Sequence, residues 1–528
     1  MIRTTIRNAI RDSPPVLINA NSGRLCNKLE QIAAFESMPI FTELVCSMTT
    51  DISRSVIEEE VGKFYRYVTF SHTWEGDEPP YEKVVKIVVY DLEASPTHDK
   101  LQMFCKIVRD EGLNWAWSDT CCIDKGNHFI LQEALVRMFK WYEGSAMTII
   151  FLYDVGRLAE LGALTMSKWN SRGWTLQEYH ASQVVRIYTK DWTPYLGLTT
   201  PNHKESPQII LEMEKATDIS AQALKALRPG LSDIREKLRL ASTRQTTRVE
   251  DAAYSLLGIF SATLPVTYGE GDMALGRLLS QLLMSSGATS ILAWSGRSGS
   301  FNSCLPKDIV VFSQPLASYI PTTILDVAAG TGRITTGRHA SSQLTRLYDR
   351  VVDLPKPDFA GQRMKLPCLA FKIGPVLPPS GDGSDIVFRV QTSAFGVVDI
   401  KTDQDLSRRD SLYLVHPWID FLLDRQSVRG TVETTPGPGP LQITSPAPQM
   451  HWALFSAIRR MFGRRPTEKW MRILQFIARL QQPFGALLLE SNQRNEYTRI
   501  ATESVITVQI TPTTLDELIQ GVQVLDVL

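Results

Sequence analysis

The segment AMTIIFLYDV, residues 146–155, is an almost unbroken apolar run with the length of one β-strand. A strand on the surface of a sheet alternates apolar and polar residues, because successive side chains point to opposite faces. A run that stays apolar is typical of a central parallel strand whose two faces are both covered by helices. This segment therefore predicts the middle of an α/β sheet.

The segments on either side of this run alternate between strand and helix patterns. Apolar residues recur at helical spacing in HDKLQMFCKIVRDEG (98–112) and LQEALVRMFKWYEG (131–144). Short apolar or aromatic runs predict three more strands, YRYVTFS (65–71), NWAWSD (114–119) and VVRIYT (184–189). Strands that alternate with helices are typical of a mainly parallel sheet, so we predict an α/β domain at 62–195.

The rest of the chain predicts regions of different texture. Beyond residue 296 the strand-like segments follow one another with no regular helix between them, which predicts a β-rich C-terminal region. The full predicted division is an N-terminal segment (1–61), the α/β domain (62–195), a helical extension (196–295), a β-rich region (296–434), a turn-rich linker (435–448) and a C-terminal helix with strands (449–528).

Within the helical extension, the segment TTRVEDAAYSLLGIF (246–260) carries a helix-start signal. Thr247 is followed three residues later by Glu250, which is the spacing of a capping box. This pair predicts a helix that begins at Thr247.

Composition narrows the class of protein. The chain has 528 residues and equal numbers of Lys plus Arg and Asp plus Glu, 56 of each, so nucleic acid is not expected as the main partner. No apolar run reaches the roughly 18 residues that span a bilayer, and the N-terminus lacks the apolar stretch of a signal peptide. Seven cysteines are few for this length and indicate reduced thiols. We therefore expect a cytoplasmic protein without a transmembrane segment.

Three short motifs are compatible with other functions, but for each of them a purely structural interpretation is favoured. Asp326 with Gly330 and Gly332 is similar to the cofactor loop of S-adenosylmethionine-dependent methyltransferases, but no apolar helix face follows, so a turn between strands is the favoured interpretation. The adjacent Cys121 and Cys122 would point to opposite faces of a strand, and no metal site is predicted. The basic cluster RRMFGRRPTEKW (459–470) is more typical of a solvated helix face than of a lipid or nucleic-acid site.

Six segments in a fixed order resemble the fungal heterokaryon incompatibility (HET) domain. The likeness covers about residues 67–295, and the matching segments are YVTFSHTWEGDE, WAWSDTCCIDK, ALVRMFKWYEGSAMTIIFLYDV, SKWNSRGWTLQEY, TTRVEDAAYSLLGIF and LPVTYGEGDMALGRL. The resemblance implies a role in self/non-self recognition between fungal cells, with a cell-death reaction when incompatible cells fuse.

The order of parts is also distantly similar to the TIR fold, a flavodoxin-like sheet with helices on both sides. In enzymatic TIR domains a tryptophan-containing segment ends in a glutamate that serves the cleavage of NAD. The segment SKWNSRGWTLQEY ends near Glu178, so the resemblance places the catalytic glutamate there. NAD would then be the substrate, and no bound cofactor is expected.

Residues near the carboxyl ends of the predicted strands are the candidate partners of Glu178. Open α/β sheets bind ligands at that edge. The candidate substrate-binding residues are Ser71, His72, Trp74, Arg172 and Trp174. Three of them have a structural alternative: His72 as a strand-end hydrogen-bonding residue, Trp174 as core, and Arg172 as an ion-pair partner of Glu178 or Asp119. Glu178 itself has the alternative of a structural ion pair or a cap.

Two functions from different classes follow. The first is an NAD-cleaving effector of cell death, which Glu178 favours. The second is a non-catalytic signalling module that works by assembly, as a homo-oligomer or with a partner protein. The absence of a clear phosphate-binding loop favours the second. A methyltransferase is a minor third alternative, resting on the Asp326 segment alone.

Overall fold

A computed structural model provides the fold. It describes residues 2–46, 54–314, 338–380, 386–392, 395–417, 484–508 and 515–528, with a few positions between 469 and 480. The chain divides into two compact units, Met1–Ala274 and Leu275–Leu528. The methyltransferase-like residues Asp326, Gly330 and Gly332, the linker at 435–448 and nearly all of the basic cluster lie outside the described residues.

The first unit is built on one six-stranded sheet. Its strands are β1 (Val16–Asn19), β2 (Leu25–Asn27), β3 (Tyr67–His72), β4 (Trp115–Trp117), β5 (Met147–Leu152) and β6 (Val185–Thr189). The spatial order is β2-β1-β4-β3-β5-β6. Strands β4, β3, β5 and β6 are mutually parallel, whereas β1 runs antiparallel to both of its neighbours. The predicted mainly parallel α/β sheet is thus confirmed.

Fifteen described helices belong to the first unit. They are α1 (Ile2–Ile10), α2 (Lys28–Glu36), α3 (Pro39–Cys46), α4 (Arg54–Phe64), α5 (Tyr81–Val84), α6 (Pro96–Asp110), α7 (His128–Glu143), α8 (Ala163–Met166), α9 (Lys168–Ser171), α10 (Gly173–Ala181), α11 (Pro207–Thr217), α12 (Ala221–Ala226), α13 (Ile234–Ser242), α14 (Asp251–Tyr254) and α15 (Leu257–Phe260). A further helix, α16 (Met273–Ser286), begins at the boundary between the units.

Burial explains why the central strands are so apolar. All six residues of β5 and all six of β3 are buried, because helices cover both faces of the sheet. Each large apolar side chain that leaves water in this way contributes about 1.5–3 kcal/mol. Strands β1 and β2 extend the sheet with residues 16–27, a part of the chain whose sequence showed no strand pattern.

The second unit is rich in β-strands, as predicted. Its strands are β7 (Asp358–Ala360), β8 (Arg363–Lys372), β9 (Leu377–Ser380), β10 (Val387–Thr392), β11 (Gly396–Lys401), β12 (Leu412–Pro417), β13 (Phe484–Ser491), β14 (Glu496–Arg499), β15 (Ile506–Val508) and β16 (Val522–Val527). Strand β12 pairs with both β13 and β8, so five strands close into a barrel-like ring. Strands β9, β10 and β11 form a separate three-stranded sheet.

Besides α16, most of which lies in this unit, its described helices include α17 (Arg338–Val352) and α18 (Leu515–Gly521). Helix α17 was not predicted, and its buried apolar face contradicts the expectation that no such face follows Gly332. It precedes the predicted strand segments at 384–393, 395–402 and 411–418, and no described helix separates those segments. Leu344, Leu347, Tyr348 and Val351 recur at helical spacing and are buried in the core of the unit. Arginines and polar residues between them mask this pattern. Among the described residues, every helix is too short or too polar to cross a bilayer.

The predicted helix start at Thr247 is also wrong. Residues 247–250 form a bend and a turn, and α14 begins only at Asp251. The physical reason is that the Glu250 carboxylate is used elsewhere: it accepts the backbone N–H groups of Gly269 and Gly271, at 2.8 and 3.0 Å. Glu250 therefore fixes the following loop instead of closing a capping box.

This correction can be tested by a pair of substitutions. Thr247→Ala should change the free energy of unfolding by less than about 0.5 kcal/mol, because Thr247 is exposed and caps no helix. Glu250→Ala should lower the free energy of unfolding by about 1.5–3 kcal/mol, because this is the usual cost of losing a hydrogen bond to a charged group. Urea unfolding of both variants checks the expectation. A larger loss for Thr247→Ala than for Glu250→Ala would restore the capping box.

Candidate functional site

The residues at the end of β3 divide between the two faces of the sheet. Because side chains alternate along a strand, Ser71 faces α10 whereas His72 faces the opposite layer with Phe70. The Ser71 hydroxyl donates to Glu178 Oε2 at 2.5 Å. The Ser71 hydroxyl oxygen also accepts a hydrogen bond from the indole N–H of Trp169, at 2.8 Å. Glu178 is only 4% exposed. A buried Trp169–Ser71–Glu178 chain of hydrogen bonds thus joins β3 to α9 and α10.

Local structure sets the position of Glu178. The backbone on either side of Arg172 pairs with Gln245, whose N–H donates to Ser171 and whose carbonyl accepts from Gly173. A side chain at position 173 would bring a Cβ within 2.5 Å of the Thr246 methyl group, so glycine is needed for this close approach. Helix α10 then begins directly and carries Glu178 beneath the carboxyl end of β3.

The buried side chain of Arg244 stabilises the turn at Arg172. Arg244 Nη1 donates to the Arg172 carbonyl and to Thr175 Oγ1, both at 3.0 Å, and Nη2 donates to Asn170 at 3.2 Å. Burial lowers the pKa of Arg244 to about 10, which leaves it charged at neutral pH. Its positive charge favours the ionised form of Glu178.

Burial has the largest effect on Glu178 itself. Removal from water raises the pKa of its carboxyl to about 7, against the opposing influence of Arg172, the Ser71 hydrogen bond and Arg244. The negative charge of Asp119 raises it further. At neutral pH Glu178 therefore exchanges between its protonated and ionised forms, which is a property of carboxyl groups that act as acids or bases.

His72 lies on the other face and remains uncharged. Its ring stacks on Phe70, and its Nδ1 is 3.0 Å from the Thr73 carbonyl oxygen. Burial, with the nearby charges of Lys100 and Arg172, holds the pKa of His72 well below its ordinary value. Its Nε2 lies 3.6 Å from an Asp119 carboxylate oxygen and makes no hydrogen bond within the described part of the chain.

Trp74 forms the exposed rim of this edge. Its side chain is 46% exposed, and its indole N–H donates to Asp119 at 3.2 Å. The Lys125 ammonium lies 3.6 Å from the centre of the Trp74 ring, and the Arg172 guanidinium lies 5.3 Å from it. Arg172 also donates to the His72 carbonyl at 2.7 Å. Aromatic and cationic groups therefore meet at the carboxyl edge of the sheet.

Five of the six predicted site residues thus come together: Glu178, Ser71, His72, Trp74 and Arg172. Trp174 does not join them, because its indole N–H donates to the Asp251 carboxylate at the start of α14. Arg172 binds a backbone carbonyl rather than Glu178 directly, and it acts on that carboxyl through its charge.

Sequence reasoning missed several contributors to this cluster, among them Lys125 and Arg244. Lys100 forms a buried ion pair with Glu78 below His72. The Tyr142 hydroxyl donates to the Phe70 carbonyl at 2.9 Å and also lies within hydrogen-bond reach of Glu178. These residues belong to helices or loops whose local sequence does not indicate a functional site. Only the folded structure brings them to the carboxyl edge of the sheet.

The two adjacent cysteines are buried thiols. Cys121 and Cys122 are both enclosed, and burial raises the pKa of Cys122 well above its ordinary value. Across the described residues, no three His, Cys, Asp or Glu side chains are grouped so as to hold a metal ion.

Comparison with known proteins identifies a domain that includes Ser71, His72 and Trp74 but ends before Arg172 and Glu178. Residues 67–161 match the family model of the heterokaryon incompatibility protein (HET). Residues 67–161 therefore form a HET domain, as predicted, and the first three of the six ordered segments lie within this match.

One curated relative is the vegetative incompatibility protein HET-E-1 of Podospora anserina, which is 36% identical over 231 residues. That similarity covers 41% of this chain but only 16% of the relative, so the chain matches about a sixth of that protein's length. No solved structure matches the chain.

The raised pKa of Glu178 predicts a pH dependence of stability. Between its ordinary value of 4.5 and about 7, the unfolded chain has released this proton while the folded chain retains it. The contribution of Glu178 to stability is thus complete below pH 4.5 and is lost as pH rises through 7. The total change is on the order of 3 kcal/mol, since each pKa unit corresponds to about 1.4 kcal/mol.

Glu178→Gln should remove this dependence and keep an acceptor for Ser71. Urea unfolding from pH 5 to pH 8 should show the variant gaining stability relative to the parent as pH rises. Curves for parent and variant that stay parallel over this range would show that Glu178 titrates normally.

Proposed function

We propose that this chain is a vegetative incompatibility protein that acts in the cytoplasm and triggers cell death when unlike fungal cells fuse. Support comes from the HET-domain match and from the similarity to a protein named for vegetative incompatibility. Because the similarity spans a small part of that relative, the whole-protein role is inferred from the domain that the two share.

For the chemistry, we propose cleavage of NAD at the carboxyl edge of a TIR-like sheet. The four parallel strands support a flavodoxin-like arrangement, since in chain order they lie 2-1-3-4 across the sheet. In that order the strand sequence reverses between β3 and β5, and ligands bind outside the carboxyl ends of the strands at such a point. Ser71 and His72 end β3 at this place.

The observation that carries the proposal is the carboxyl of Glu178, buried against Ser71 with a pKa raised to about 7. Breaking the bond between nicotinamide and ribose develops positive charge on the sugar, as glycoside hydrolysis does. An ionised carboxylate in a water-poor site stabilises that charge far more than it would in water. Strongly shifted pKa values in such clusters are typical of functional groups.

The residues around Trp74 are suited to bind the base and the pyrophosphate of a dinucleotide. Trp74 offers an exposed aromatic face on which a base can stack. The cations of Lys125 and Arg172 lie over the Trp74 ring, Lys125 the nearer, and supply the positive charge that a pyrophosphate requires. No cofactor is required, since NAD is the substrate.

A second candidate function is a non-catalytic module that signals by assembly with itself or with a partner. The low exposure of Glu178 favours this candidate, because its carboxyl is already satisfied by Ser71 and shielded from solvent. In that case the Trp169–Ser71–Glu178 chain only fixes α10 on the sheet.

Expression of the full chain from an inducible promoter in yeast separates the two candidates. Glu178→Gln should abolish NAD loss and toxicity, because loss of one well-placed electrostatic contact costs about 2.7–4 kcal/mol of barrier, a hundred- to thousandfold in rate. The matched control is Glu160→Gln, which makes the same substitution at an exposed carboxylate of the first unit.

The control variant should remain as active as the parent. Toxicity without NAD loss in the parent, or an equally toxic and soluble Glu178→Gln variant, would reject catalysis and favour assembly. Absence of toxicity in the parent under every trigger tested would contradict the proposed cell-death role.

A further inference from the structure

A cavity of about 360 Å³ lies in the first unit, on the far side of α10 from Ser71. It is bordered by the C-terminal half of α10, by the 3₁₀ turn His203–Glu205 and by helices α11 to α13, and it opens to solvent. Its volume is that of a site for a small organic molecule. Its apolar walls are formed by Leu176, Ile210, Met213, Leu224, Leu227 and Leu240.

The charged groups that line this cavity are mostly positive. Lys204, Lys225 and Arg228 stand against a single lining carboxylate, Glu205. That carboxylate already accepts a hydrogen bond from the Asn202 amide at 3.0 Å. Lys225 and Arg228 are exposed, so they lie on the solvent side of the cavity. The chain as a whole has no net charge, and this local excess is therefore a property of the site.

Lys204 is fixed in place and supplies charge rather than free hydrogen-bond donors. Its ammonium donates to the carbonyls of Tyr179, His180 and Ser182 at the end of α10, at 2.9, 3.3 and 2.8 Å. Burial lowers the pKa of Lys204 to about 8, so it remains mainly charged at neutral pH. A cation here stabilises the C-terminal carbonyls of α10 and also makes the cavity electropositive.

His180 places an uncharged imidazole ring at the wall of the cavity. Its Nε2 is shielded from solvent and has no hydrogen-bond partner within the described part of the chain. Burial and the charges of Lys204, Lys237 and Arg228 lower the pKa of His180 to about 4, so its ring is neutral at pH 7. Because Nε2 is closed to solvent, it lies behind the cavity surface, and His180 contributes an uncharged part of the wall rather than a hydrogen bond to a ligand.

We propose that this cavity binds a small molecule with an apolar body and one acidic group. The apolar body fills the leucine-lined space, and the acidic group lies toward Lys225 and Arg228 within the field of Lys204. A neutral molecule of the same shape packs against the apolar walls but gains no electrostatic attraction from the three cations. A purely hydrophilic anion gains from the cations but leaves the apolar walls unfilled.

The cavity shares α10 with the Glu178 site. Tyr179 lines the cavity, and its ring makes an edge-to-face contact with Trp169, 6.2 Å between centroids. Trp169 in turn donates to Ser71. A bound molecule is therefore placed to bias the chain of hydrogen bonds that holds Glu178. This link rests on the proposed function, whereas binding in the cavity does not.

Two dyes with the same aromatic body test the binding directly. One is 8-anilinonaphthalene-1-sulfonate, which is anionic, and the other is N-phenyl-1-naphthylamine, which lacks the sulfonate. Fluorescence titration of the purified full chain should show tighter binding of the sulfonate dye. The double variant Lys225→Gln with Arg228→Gln should weaken that dye on the order of fivefold, the scale of screened surface ion pairs, and leave the neutral dye unchanged.

Two further variants fix the location. Leu224→Trp should fill the cavity and abolish specific binding of both dyes, with circular dichroism used to show that the fold is kept. Lys215→Gln is the matched control, because Lys215 lies on α11 but does not line the cavity, and it should change neither affinity.

The proposal is overturned if the parent binds neither dye, or if the neutral dye binds as tightly as the sulfonate. It is equally overturned if the charge variant weakens both dyes alike or neither, or if folded Leu224→Trp still binds. These outcomes are independent of NAD content and toxicity, so failure of this site is distinguishable from failure of the proposed function.

Discussion

The hydrogen bond from Ser71 to Glu178 is the constraint that fixes α10 on the sheet of the first unit. A carboxyl group removed from water must be protonated, paired or hydrogen-bonded, because an isolated buried charge is costly. Here Ser71 and the charges of Arg172 and Arg244 only partly offset the desolvation, and the pKa of Glu178 settles near 7. The glycine at position 173 and the buried Arg244 hold the chain in the one path that places Glu178 under β3.

Helix α10 carries two separate sets of interactions. One face presents Glu178 to the sheet, where the cluster of His72, Trp74 and Asp119 lies at the carboxyl edge. Its C-terminal end borders the electropositive cavity and is held by Lys204. Because the two sets of interactions share one short helix, a shift of α10 would change the contacts both at Glu178 and in the cavity. Such a shared element is what a domain needs if binding at one site is to alter another.

The sequence predicted the parallel strands because burial on both faces leaves an unmistakable apolar run, as in residues 146–155. It also indicated Glu178, but through resemblance rather than through local pattern. The strands at 16–27 were missed because short sheet-edge strands carry no clear alternation. The start at Thr247 was wrong because tertiary hydrogen bonds to Gly269 and Gly271 claim Glu250. Trp174 shares the α10 helix with Glu178, yet Asp251 binds its indole, and no spacing in the sequence reveals that partner.

Direct titration of the Glu178 carboxyl tests the central claim most plainly. ¹³C NMR of glutamate-labelled protein, with Glu178→Gln used to assign the signal, gives the pKa of this group in the folded chain. A pKa near 7 is expected, and Ser71→Ala should raise it further, because the serine hydrogen bond favours the ionised form. A pKa at or below the ordinary value of 4.5, unaffected by Ser71→Ala, would contradict a buried, proton-exchanging carboxyl at this site.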